Sequence, residues 1–272
     1  MSNYIVKNIN DITKRMNREK KLLEDKLGRK IEFSEYAAIA MDFIYTQSVK
    51  AGKVSREDQH LISAILGSML HQDYCDSRRL DQPNEQGLKN NPREKKLTND
   101  IDAEFVQSVL NGEIPQSNTL YVRDGRVYMD IANTEFINLS PYWKKDNFMA
   151  GKAAVGSILT CWEGLVHENP EVKKFVEIAV ACGIHEAWRA RDNVYYDEYN
   201  GETFTNEDLD VAFCDLSDEE KAKDVTHIGM AYRLMNKLCT ALSKSKKAKT
   251  SGSGEGQAST DENASNKGEP NE

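Results

Sequence analysis

The sequence has no C-x-x-C pair, no glycine-rich phosphate loop and no apolar run long enough to cross a bilayer. Its five cysteines, Cys75, Cys161, Cys182, Cys214 and Cys239, are scattered and odd in number, which excludes a disulfide framework and suits free thiols in a reducing compartment. The longest apolar-rich stretches, Tyr36–Tyr45 and Phe175–Ile184, fall far short of a membrane span, and MSNYIVKNINDITKRMNREKK carries no apolar signal core. The expected compartment is therefore the cytoplasm, without membrane contact. G-x-x-x-x-G-K-[ST], G-x-G-x-x-G and G-x-S-x-G are all missing, which removes the usual phosphate cradles and the nucleophile elbow. His185-Glu186-Ala187-Trp188-Arg189 opens like a zincin helix but has arginine where the second histidine must fall, so no metal is expected. Cys161, His167, Cys182 and His185 have no ligand-like spacing. Cys182 and His185 lie three residues apart with no third group to orient the imidazole. The paired acids Asp197/Glu198 and Asp218/Glu219/Glu220 sit in polar surroundings that leave them ionised, so they do not form an acid–base pair. The chain reads as a non-enzyme that takes no cofactor.

What the sequence does contain is charge and helical periodicity. Over 272 residues the net charge is −8, which argues against a surface that binds phosphate backbone throughout. Two basic runs, KRMNREKK near the start and SKSKKAK after Leu242, admit a nucleic-acid contact, with a membrane surface as a further option for the first and a nuclear-localisation patch for the second, but are expected to be an ordinary solvated face and a solubilising tail. From Ser243 onward no Leu, Ile, Val or aromatic residue occurs, so 243–272 reads as a disordered tail.

The expected fold class is mainly α. Residues 1–74 form a helical N-terminal region of three helices. Ile12, Met16, Leu23 and Leu27 define the first, closed by Gly28, and Ser34 starts the second, closed by Gly52. The third begins with a Ser55/Asp58 capping pair. Residues 75–99, rich in charge with Pro and Gly, read as a linker. Residues 100–242 form a second helical module. It opens with a short helix over Ile101–Leu110, followed by a β-hairpin near 119–132 turning at Asp124-Gly125. A helix from Ser140-Pro141 follows, then one over Glu168–Ala190 with Val172, Phe175, Val176, Ile178, Ala179, Ile184 and Trp188 as its apolar face. After a tyrosine-rich loop, a last helix starts near Ser217 and Glu220.

VEIAVACGIHEAWRARDN followed by VAFCDLSDEEKAKDVTHIGMAYRLMNKL resembles the RyR domain, the repeat named for ryanodine receptors and present in small bacterial and phage proteins. The matching residues are His185-Glu186-x-Trp188, Phe213, Asp215-Leu216-Ser217, Glu219-Glu220-Lys221 and Asp224, within roughly Glu171–Leu238. Ala212 stands where the family has proline, and Tyr195-Tyr196-Asp197-Glu198-Tyr199 replaces its tryptophan-tyrosine-glycine loop. The resemblance implies a compact helical module with a binding or scaffolding role, with nucleotide-like ligands proposed for some members. A small planar anion would then sit between the Trp188 helix and the Ser217 helix. His185, Trp188, Arg189, Arg191, Tyr195, Tyr196, Phe213 and Asp215 would line that cleft, the aromatics as stacking faces and the arginines as forked donors. The residues read equally as structure: Trp188 shares a face with Ile184 and Val180, and Asp224 is placed to pair with Arg189 or Arg191. Two functions stay open, a nucleotide-like ligand module and a protein-interaction adaptor with helix-mediated oligomerisation.

Overall fold

The computed structural model describes residues 2–80, 93–190, 194–197, 202–205 and 210–252, with side chains within 9–78, 93–190 and 210–246. Seven helices and two small antiparallel sheets make up the described residues. The chain is mainly helical, as its periodicity dictates.

Helix α1 spans Ser2–Leu27 and buries Ile9, Thr13 and Met16 on one stripe, then stops at Gly28, whose φ of +65° only glycine adopts freely. Helix α2, Phe33–Ala51, buries Tyr36, Ala40, Met41, Ile44 and Ser48. Ser34 does not cap it. Glu32 occupies the cap position, with no side-chain bond to the helix start. Helix α3, Arg56–Leu80, opens as its sequence implies, with the Asp58 N–H donating to Ser55 Oγ at 3.0 Å.

The linker expected at 75–99 is shorter at both ends. Helix α3 runs past its start because Cys75 is buried, its thiol 3.8 Å from the Ile131 carbonyl. Strand β1, Glu94–Lys96, occupies the other end, paired with Tyr128–Asp130, while Leu97 enters an apolar cluster. Residues 81–92 lie outside the described residues. The boundary drawn after residue 74 thus falls inside a continuous helix.

A 3-10 turn at Asp100–Asp102 leads into α4, Ala103–Leu110. Strands β2, Leu120–Arg123, and β3, Arg126–Asp130, form the expected hairpin, with β3 in the centre of the sheet order β1-β3-β2. Asp124 and Gly125 both take positive φ, 51° and 70°, the turn geometry whose twist matches paired strands. Leu97, Val109, Leu120, Val127, Met129, Phe136 and Leu139 pack this lobe.

Helix α5, Pro141–Leu165, crosses α3 at the centre of the molecule. Two glycines set how closely. A Cβ on Gly151 would lie 2.2 Å from the Ser63 carbonyl oxygen, and one on Gly67 would lie 2.6 Å from that of Asn147. Helix α6, Pro170–Arg189, starts at Asn169, whose Oδ1 accepts the Glu171 N–H at 2.9 Å. Helix α7 spans Asp218–Gly252. Ile44, Ile65, Leu66, Ile158, Leu165, Ile184, Met235 and Leu238 belong to one apolar core, drawn from α2, α3, α5, α6 and α7. The first three helices therefore share a core with the later ones.

Two further differences from the sequence reading stand out. Where a loop was expected, strands β4, Val194–Asp197, and β5, Glu202–Thr205, pair antiparallel through β-prone Val, Tyr, Thr and Phe residues. Helix α7 also continues ten residues past Leu242, through a stretch whose four lysines and one alanine favour helix and whose serines, threonine and glycine do not, and Ser243 Oγ donates to Glu163 of α5. Residues 253–272, the remainder of the expected tail, lie outside the described residues. No helix of the described residues is long and apolar enough to cross a membrane.

Candidate functional site

The end of α6 and the start of α7 do come together, with the 3-10 turn Phe213–Asp215 between them. His185 is at the centre of the junction, 4% exposed. Its Nε2 lies 2.8 Å from the Val211 carbonyl, so that nitrogen carries the proton and donates, while Nδ1 faces Asp224 Oδ2 at 3.6 Å. The Trp188 ring stacks on His185 at 5.9 Å and 20°, and Phe213 lies tilted at 6.1 Å. Asp224 thus faces His185, and Arg191, one of the two arginines expected to pair with it, lies outside the described residues. Arg189 gives its Nε to Asp210 at 3.1 Å and its Nη1 to Glu186 at 3.1 Å. Trp188 is half-buried and Asp215 exposed. Arg191 lies outside the described residues, as do the side chains of Tyr195 and Tyr196, whose backbone belongs to β4. Among described residues the space between the helices is thus filled by His185, Phe213 and Leu216, and the Arg189 fork is engaged by carboxylates. Both His185 nitrogens therefore face oxygen atoms, the Val211 carbonyl on one side and the Asp224 carboxylate on the other.

Two buried polar groups elsewhere were not anticipated. Asp102, 1% exposed, accepts the Tyr142 N–H at 2.8 Å and the Ser140 hydroxyl at 3.0 Å. It supplies in trans the cap that Ser140 itself does not make for α5. Burial pushes its pKa up to about 6, against the hydrogen bonds that favour the charge. Burial likewise pushes the neighbouring Lys144 amine down to about 8, opposed by the attraction of Asp102. On α3, His71 Nε2 donates to the Thr134 carbonyl at 2.8 Å, and Cys75 Sγ lies 3.4 Å from the same nitrogen. That nitrogen already carries a proton, so it cannot take one from the thiol. Among the described residues no three His, Cys, Asp or Glu side chains group to hold a metal ion.

The surface departs most from expectation on α6. Val180, Ala181, Ile184 and His185 form its packed side. Val172, Phe175 and Ile178, expected within the buried face, stand 37%, 73% and 50% exposed. Farther along α6, a groove of about 450 Å³ runs between α5 and the C-terminal half of α6, lined by small residues including Ala153, Gly156, Ser157, Gly183 and Ala187. The signal for this second face was present in the sequence: apolar residues of α6 fall on more than one side of the helix, between its charged residues, and one packed stripe cannot absorb them all. A separate cleft of about 660 Å³ lies at the end of α1.

No family model matches this chain, and neither a curated protein nor a solved structure matches it.

Proposed function

We propose that this chain is a non-enzymatic protein-interaction module whose docking surface is the outward face of α6 with the adjoining groove on α5. One observation carries the reading: Val172, Phe175 and Ile178 are exposed on a helix whose opposite side is already packed in the core. Covering side chains of this kind is worth ~1.5–3 kcal/mol each, so a partner that buries them gains what folding left unused. Val172, Phe175, Ala179 and Cys182 follow one another at steps of three, four and three residues, the seam spacing that accepts a second helix. The small residues of the groove let a partner's backbone come close. A scaffolding role also agrees with what the RyR resemblance implies.

The test compares the wild-type chain with Phe175→Asp/Ile178→Asp, first as bait in extracts of its source cells and then alone by light scattering. The expected result is retention of specific polypeptides, or a concentration-dependent oligomer, that the double variant loses while its helical circular dichroism is unchanged. If wild type and variant retain the same set and both stay monomeric, the reading fails.

A second reading, a nucleotide-like ligand at the end of α6, is favoured by one feature, the half-buried Trp188 indole beside Arg189. Quenching of Trp188 fluorescence by nucleotides, abolished in Arg189→Ala, would support it over the first.

A further inference from the structure

The basic run on α1 is absorbed by neither reading. In the fold, Gly28 turns the chain at φ +65°, so that Arg29 and Lys30 come back beside Lys20 and Lys21. These four cations and Asn17 line the cleft of about 660 Å³, and Ile137 of the sheet lobe closes one wall. That volume lies within the range of small-molecule sites. We propose that this cleft binds the phosphate chain of a small polyphosphate, such as a nucleoside triphosphate or inorganic tripolyphosphate.

Two carboxylates near the cleft each offset one cation while fixing its position, so the attraction falls chiefly to Lys21 and Lys30. Glu24 accepts both Lys20 Nζ at 2.5 Å and the Ile31 N–H at 3.1 Å, which pins the turn after Gly28. Glu35 lies outside the lining and holds the Arg29 guanidinium through both terminal nitrogens, at 3.0 and 2.5 Å. Two of the four cations are therefore fixed in place, and Lys21 and Lys30 are exposed. Asp25 on the rim and the carbonyl end of α1 both act against negative charge. A single carboxylate would gain little under those conditions. A chain of phosphates touches several cations at once, and lysine suits it as a point-charge donor. The size of the cleft and the −8 charge of the whole chain select a small anion over a nucleic acid, whose long backbone would meet repulsion elsewhere.

The experiment titrates ATP and inorganic tripolyphosphate into the full chain by calorimetry at low and near-physiological salt. It is repeated with Lys21→Glu/Lys30→Glu, with the charge-matched control Lys14→Glu/Lys26→Glu, and with Trp188→Ala. The expected result is binding of both probes, weakened at least about tenfold in the Lys21/Lys30 variant and within about twofold of wild type in the other two. Absence of heat with wild type overturns the proposal, as does equal weakening in both lysine pairs, which marks unspecific attraction. Loss confined to Trp188→Ala overturns it too and moves the site to α6. Thermal unfolding of each variant accompanies the titration. If Lys21→Glu/Lys30→Glu is misfolded, Lys21→Gln/Lys30→Gln replaces it under the same criterion.

Discussion

Asp102 shows how one residue can tie two lobes together at a cost that depends on pH. Its carboxyl holds the first turn of α5 through the Tyr142 N–H, yet it is removed from water and titrates near 6 instead of the ordinary 3.8. The sign follows from the direction. A group whose folded pKa is raised stabilises the fold fully below its unfolded value, and that stability is lost as pH rises through the folded value. Lowering the pH from about 7 to about 5 should therefore recover ~1 kcal/mol from Asp102 alone. Over the same window His71, pushed down by burial, works in the opposite direction, because its unfolded form takes up a proton first. The double difference between wild type and Asp102→Asn isolates the carboxyl, since His71 is common to both. Urea unfolding at the two pH values is expected to show wild type gaining ~1 kcal/mol relative to the variant on acidification. An identical pH response in both chains would mean that Asp102 is not held in the buried, neutral-favouring site.

At the scale of elements, the α3/α5 crossing gives the sharpest contrast between two glycines on one helix. Gly151→Ala drives a Cβ to within 2.2 Å of the Ser63 carbonyl, so the helices must separate; a loss of ~3 kcal/mol is expected in denaturant unfolding. Gly156→Ala meets nothing within 4 Å and should gain ~0.5–1 kcal/mol from helix propensity alone. A similar loss at both sites would show that the crossing is not set by the close approach of Gly151. The elements the sequence announced are those whose signals are local: Asp124-Gly125 between β-prone runs, the Ser55/Asp58 and Ser217/Glu220 caps, and Pro141 in a first turn. The Glu220 N–H donates to Ser217 Oγ at 3.2 Å, as its spacing required. What stayed hidden depends on partners far along the chain. Nothing near Cys75 in sequence says that Ile131 will cover it, and nothing near Glu94 says that β3 will pair with it. The junction around His185 was half legible. Its contact with the segment before Ser217 was foreseen, but the approach of Asp224 to the imidazole and of Asp210 to Arg189 was not, since both are fixed by packing geometry. The outer face of α6 was misread because periodicity counts apolar residues without saying which stripe meets the core.

For the whole molecule, the decisive feature is a pair of apolar clusters of unequal size joined by buried polar bonds. The larger draws on α1, α2, α3, α5, α6 and α7; the smaller fills the sheet lobe between Leu97 and Leu139. His71 reaches from α3 into that lobe and satisfies the Thr134 carbonyl, while Asp130 accepts the Arg93 and Ala132 N–H groups at 2.8 and 3.1 Å and so orders the turn from the other side. A buried carbonyl stripped of its donor costs ~1–3 kcal/mol. Because the smaller cluster has fewer apolar side chains to resist opening, that cost should appear there first. His71→Leu keeps an apolar body of similar breadth on α3 but removes the donor. Hydrogen exchange is expected to quicken tenfold or more at amides of β3 and the following segment through Leu139. Amides of α5 facing α3, and those in the middle of α7, should stay at wild-type rates. Uniform acceleration across all seven helices would instead mean that the two clusters open as one unit, with His71 contributing to global stability and not to the joint. The contrast also bears on the docking surface: α6 belongs to the larger cluster, so its exposed face is presented by the more resistant part of the fold and should keep its shape while the sheet lobe breathes.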